Sequence, residues 1–244
     1  MSVFLTKDDA LALKGIALLL LLSHHLFYIN DGLYNDILLW QDHCLVQEIG
    51  IMSKVCVAIF VFLSGYGLAV GTIKTERIQS LRQFYVHRFK KLFMNYWLIW
   101  LIFVPISYFC FDMTFEKVYQ QYVGLQLVTD LFGVHEIFFG SPVYCYNPTW
   151  WFYSCIIVLY ILFPLLYKWV CTDTISVLLA SIAVSFLPIP HTGFIRFYIL
   201  AFVLGIIFVV KKSPPQSICG YRLQSLQLLW QKEILLNIQF SRIA

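Results

Sequence analysis

Four side chains in one apolar stretch near the start of the chain are of types that can do chemistry: Lys14, Ser23, His24 and His25. Lys14 and His25 are eleven residues apart, close to three helical turns. On a helix they share a face and are separated by about 16 Å along the axis. His24 is rotated from His25 by about 100° and serves at best a neighbouring helix. A cation at an entrance with an imidazole beyond it suits a site where an anionic carrier docks and a proton must be removed, since an unperturbed imidazole titrates near neutrality. The same pair also fits a snorkelling lysine and a histidine hydrogen-bonded between helices. Further along, Arg88 and Lys91 are three apart and therefore helix neighbours. They suit a clamp for phosphates, or a segment that is simply held on the cytoplasmic side. Between the two groups runs Phe60-Val-Phe-Leu-Ser-Gly-Tyr-Gly-Leu-Ala-Val-Gly71. Its Gly67 and Gly71 form a small-xxx-small step flanked by Ser64 and Gly65, which serves helix packing or the close approach of a ligand.

The elements that must carry these residues follow from composition. Of the 244 residues, 60% are apolar and only 12% charged, and the mean hydropathy is +0.77. A soluble domain of this length needs far more charge on its surface. The chain reads as an all-α integral membrane protein, a bundle of about six transmembrane helices. The candidate spans are Leu11–Ile29, Val55–Thr72, Leu92–Phe111, Trp150–Trp169, Ile175–Leu187 and Phe194–Val210, of which the fifth is short. The first is not a signal peptide, because His24 and His25 interrupt it and no small-residue cleavage site follows.

Charge orients the spans. The segment after the second holds Lys74, Arg77, Arg82, Arg88, Lys90 and Lys91 against Glu76. The flanking loops carry Asp31, Asp36, Asp42 and Glu48 in one and Asp112, Glu116, Asp130 and Glu136 in the other, with a single lysine each. Lysine and arginine mark the cytoplasmic side, so the basic segment, the N-terminus and the tail from Lys211 are predicted inside. The expected organisation is a membrane domain over 1–212 and a cytoplasmic tail over 213–244. Within that tail, Leu223–Ile238 has the pattern of an amphipathic surface segment. A net charge of +4, scattered along the chain, excludes nucleic acid as the expected partner. The seven cysteines lie mostly in apolar runs at irregular intervals. Cys56, Cys110, Cys155 and Cys171 therefore read as small buried hydrophobes, and no metal site is expected.

In order and spacing these segments resemble the acyltransferase-3 family, bacterial membrane O-acyltransferases that acetylate glycans and other surface carbohydrates. The resemblance rests on Lys14-Gly-Ile-Ala … His25, on Val61-Phe-Leu-Ser-Gly-Tyr-Gly67 and on Arg88-Phe-Lys-Lys91. A weaker fourth motif is Asn147-Pro-Thr-Trp-Trp-Phe-Tyr-Ser154 followed by Tyr160-Ile-Leu-Phe-Pro164. Together they cover roughly residues 10 to 210.

The resemblance implies a multi-pass protein of the bacterial inner membrane. It would transfer an acyl group, acetyl in the first instance, from coenzyme A to a carbohydrate hydroxyl. His25 would be the general base, and Lys14, Arg88 and Lys91 would bind the donor. Ser64, Gly65, Trp150 and Trp151 would line the site. Acyl-CoA is then a cosubstrate, and no bound cofactor is expected. The chain departs from the family by carrying lysine where arginine is usual at Lys14 and Lys91, which keeps charge but loses the bidentate fork. It has Ile156 and its neighbours where a branch of the family has a glutamate, and fewer spans than the family's members. The composition shift at Lys211 predicts a truncated or altered C-terminus. The alternative readings are a small transporter or assembly subunit with its Lys and His in an ion path, or an inactive truncated acyltransferase.

Overall fold

The computed structural model describes residues 5–29, 37–40, 43–74, 81–119, 122–140, 145–188 and 193–211. The tail expected over 213–244, with its amphipathic segment, lies outside them. The described chain is helical apart from a short antiparallel ribbon, in which β1 (Leu38–Trp40) pairs with β2 (His43–Cys44). Four helical stretches are long and apolar enough to cross a membrane: Lys7–Phe27, Leu45–Ile73, Arg82–Cys110 and Pro148–Thr172. Two shorter apolar helices, Thr174–Phe186 and Ile195–Val210, stand where the fifth and sixth spans were expected.

Local chemistry sets where the helices begin. Thr6 and Asp9 form a reciprocal capping box, so α1 (Lys7–Phe27) starts four residues earlier than hydropathy suggests. Lys14 consequently lies two turns inside the helix, about 10 Å from its start, and His25 falls in its last turn. A turn at Ser53 and Lys54 separates α2 (Leu45–Met52) from α3 (Val55–Lys74). Most of the basic segment is helical: Lys74 ends α3, Arg77 lies outside the described residues, and Arg82, Arg88, Lys90 and Lys91 stand in the first turns of the 30-residue α4 (Leu81–Cys110). Three short helices follow, α5 (Phe115–Tyr119), α6 (Val123–Leu131) and α7 (His135–Phe139). Asn147 caps a 3₁₀ turn with Pro148 in its first position, and that turn runs into α8 (Trp151–Thr172). Asp173 accepts from the Ile175 and Ser176 amides and starts α9 (Thr174–Phe186). The last helix is α10 (Gly193–Val210).

At the centre, α3 packs against α1, α8 and α10. Its crossing with α10 is set by two glycines: a Cβ on Gly65 would lie 2.3 Å from the Phe202 carbonyl oxygen, and one on Gly205 would lie 2.2 Å from that of Phe62. Neither helix can carry a side chain there and keep this separation. Gly65 is therefore accounted for by packing. Gly67 and Gly71, expected to form the packing step, do not: Gly67 is exposed with no atom near its Cβ position, and Gly71 faces the Arg88 side chain.

A second cluster forms where α4 passes α8. Tyr96 meets Trp150 and Tyr153 at centroid distances of 5.3 and 4.5 Å. From that level α4 continues for fourteen more residues, roughly 21 Å of helix, past the start of α8. The α5–α7 segment packs along this extension, through Trp97 Nε1–H donating to the Leu131 carbonyl and Tyr96 O–H donating to that of Asp130. The stretch expected to be an open external loop is thus a folded cap on α4.

Candidate functional site

The register of the bundle is read from its cross-helix contacts. Ser53 Oγ donates to the Ile49 carbonyl and accepts from Ser23 Oγ at 3.3 Å, and His24 Nδ1 donates to the Gly50 carbonyl at 2.9 Å, which fixes α1 antiparallel to α2–α3. Phe152 meets Phe60 at 6.5 Å, and the Tyr160 phenol lies beside the Ser64 hydroxyl, so α8 runs parallel to α3. The Tyr85 hydroxyl donates to the Ile161 carbonyl, placing α4 antiparallel to α8. In this register the Arg88 backbone stands at the level of Tyr160 and its Nη2 reaches Gly71, whereas His25 stands at the level of Gly50. From Gly50 to Gly71 is about twenty-one helical residues, so the guanidinium and His25 are separated along the bundle by ~30 Å.

The sequence-selected residues fall into three groups. Lys14 and His25 are both exposed on one flank of α1. They lie about 60–80° around the helix from Ala17, the centre of its packed face. His24 lies within about 20° of that centre. It is anchored by the Gly50 bond and touches the His25 ring edge-on at 5.4 Å. A histidine that donates through Nδ1 holds its proton there and presents Nε2 as the basic nitrogen.

The second group is Ser64 with Arg88. The half-buried Arg88 lies against Gly71, and its charge acts on Tyr160, which neighbours Ser64. Lys91 is exposed and outside this group.

Trp150 and Trp151 belong to the third, a crevice of about 240 Å³ including its open mouth, lined also by Asp130, Gly133, His135, Glu136, Cys145 and Ser154. Gly133, at φ 64°, turns the chain from α6 into α7 and accepts the Ser154 hydroxyl proton at 2.7 Å. Asp130 is 1% exposed and accepts from the Tyr119 hydroxyl at 2.6 Å, while its own carbonyl accepts from Tyr96. Burial raises the Asp130 carboxyl to about 6 against the lowering pull of Tyr119. Burial alone raises Glu136 to about 7 and lowers His135, whose Nε2–H donates to Gln126 at 3.3 Å. Cys145 is pushed up to about 12 by burial and then by the Asp130 charge, so its thiol is no nucleophile at neutral pH.

Sequence reasoning missed this crevice. It counted Asp130 and Glu136 as loop acids, although Leu131-Phe-Gly-Val-His-Glu-Ile-Phe-Phe139 places His135 and Glu136 inside an apolar run, a signal of burial. The clustering of Tyr160 with Arg88 was equally unread, because it depends on the α4–α8 register. Among the described residues no group of three or more His, Cys, Asp or Glu side chains is arranged to hold a metal ion.

A family model described as an acyltransferase domain matches residues 11–228. No curated protein and no solved structure matches the chain.

Proposed function

The chain belongs to this acyltransferase family and is a membrane acyltransferase, and we propose that it moves an acyl group, acetyl in the first instance, from acyl-CoA to a hydroxyl of a glycan or other cell-surface carbohydrate. The observation that carries this reading is the separation of two chemistries along one bundle: a guanidinium at the Gly71 level and imidazoles at the Gly50 level.

In this reading the protein lies in a bacterial inner membrane with both termini cytoplasmic. The α9 and α10 helices complete six crossings, and the donor enters from the basic side. Arg88 holds phosphate, while Lys14 and Lys91 add positive potential. His25 takes the proton of the attacking hydroxyl as its oxygen bonds to the thioester carbon. The thiolate then leaves with coenzyme A and is reprotonated. A second reading makes His24 the base, because its Nδ1 bond to Gly50 orients the ring and leaves Nε2 available.

The test uses membranes carrying the full chain, labelled acetyl-CoA and extracted envelope polysaccharide. Label should pass to base-labile esters on carbohydrate. Transfer that persists when both His25 and His24 are replaced by alanine would sink the mechanism. Absence of ester with every glycan fraction would sink the acceptor.

A further inference from the structure

Tyr198 stacks on Trp151 at 5.7 Å and Phe202 meets Phe163 at 6.3 Å, so α10 runs parallel to α8. It therefore starts at the end of the bundle opposite the basic segment, and Arg196 stands in its first turn. Of the other lysines and arginines described at that end, Lys54 is exposed and Lys117 pairs with Asp112. Arg196 differs from both: it is half-buried, and its Nε is buried without a hydrogen-bond partner. Nη1–H reaches the carbonyl of Leu187, at the C-terminal end of α9, at 3.5 Å. The guanidinium carbon lies over the Phe197 ring, 4.6 Å from its centroid. Phe197, Leu187 and the adjoining Phe186 are all exposed.

A guanidinium carries five N–H donors and a full charge. The Leu187 carbonyl takes one donor, as the last carbonyls of a helix do from a cation, and the Phe197 ring attracts the charge without accepting the in-plane N–H bonds. The remaining donors have no acceptor among the described residues, and no carboxylate there neutralises the charge. A cation among the apolar side chains of a membrane bundle is costly to leave so. Because exposed apolar rings flank it, the missing acceptor has to bring hydrocarbon of its own.

We propose that Arg196 is an anion site at the α9–α10 junction for the phosphate of a membrane lipid, whose acyl chains cover Phe186 and Phe197. The planar fork matches two phosphate oxygens, and stacking on Phe197 holds it flat. The site is independent of acyl transfer and of the basic segment at the other end of the bundle.

The full chain is purified in a non-ionic detergent and titrated with dioleoyl phosphatidylglycerol or with dioleoylglycerol, which has the same chains and no phosphate. Bound lipid is counted by native mass spectrometry. Wild type should retain phosphatidylglycerol and not the diacylglycerol. Arg196→Gln should weaken one bound phosphatidylglycerol about tenfold to a hundredfold, the range of a charge-assisted bond. Arg196→Lys keeps the charge without the fork and should fall between the two. Phe197→Leu keeps an apolar, lipid-facing side chain, spares folding, and should weaken binding a few-fold. Lys54→Gln should match wild type. Lipid binding unchanged in all three Arg196 and Phe197 variants overturns the site. A loss confined to Arg88→Gln assigns the lipid to the basic segment and overturns it too. Inorganic phosphate that displaces the lipid at equal concentration makes the ligand a soluble anion and overturns the lipid assignment.

Discussion

Replacing His24 and His25 separately distinguishes an anchor from a catalyst, because the fold gives the two imidazoles different surroundings. His24 Nδ1 donates to the carbonyl of Gly50, a buried residue on α2. Alanine there leaves a buried carbonyl without its partner, a loss of about 1–3 kcal/mol. His25 is exposed on the flank of α1, and alanine there should change stability by no more than about 0.5 kcal/mol. If His25 is the base, its removal lowers the rate by roughly 10²–10⁴-fold, while His24→Ala leaves transfer per folded molecule near wild type. His24→Asn places an amide N–H close to the position of Nδ1 and should recover most of the lost stability. His25→Gln keeps hydrogen bonding but cannot accept the proton, and should be inactive. Two measurements suffice: unfolding in mixed micelles, and transfer of labelled acetyl normalised to folded protein. A His24→Asn chain that is stable and inactive, beside a His25→Ala chain that transfers normally, refutes the assignment and installs His24 as the base.

Gly65→Ala and Gly205→Ala each force a methyl into a carbonyl at 2.3 and 2.2 Å. Each should cost at least about 1–3 kcal/mol, whereas Gly67→Ala should be silent in the same unfolding assay. The Glu136 carboxyl stands at about 7 in the fold against an ordinary 4.5. The folded chain therefore holds a proton that the unfolded chain releases between these values. Stability of the α6–α7 cap is greatest below 4.5 and falls as pH rises to about 7, then levels. Amide exchange in α7 should follow that course, and Glu136→Gln should remove its Glu136 component; a variant that retains the whole slope contradicts the burial argument. Reporter fusions after Ile78 should report cytoplasm and fusions at Gly133 the outside, and an external signal at Ile78 would reverse the proposed orientation.

Sequence alone determined the membrane character, the helical class and the order of the motifs. These depend on composition and on spacing along one helix, which survive without tertiary context. The apolar stretches around His25, Ser64 and Trp151 are legible because each must bury its own backbone polar groups within itself. The shared flank of Lys14 and His25 was legible for a similar reason, since helical pitch fixes it.

Only the tertiary structure decided which residues meet across helices. Arg88 and Lys91 have the same charge and neighbouring positions, yet one lies beside Gly71 and Tyr160 and the other is exposed. Gly65, read as serving helix packing or the close approach of a ligand, sets the α3–α10 crossing with a glycine 140 residues away. Of the four acids in the segment after α4, all read as loop acids, Asp112 and Glu116 are exposed. Asp130 and Glu136 line a crevice because α4 extends past α8 and gives α6 and α7 a surface to fold against. Register between helices is set by pairs of side chains far apart in the chain, and no local pattern encodes it.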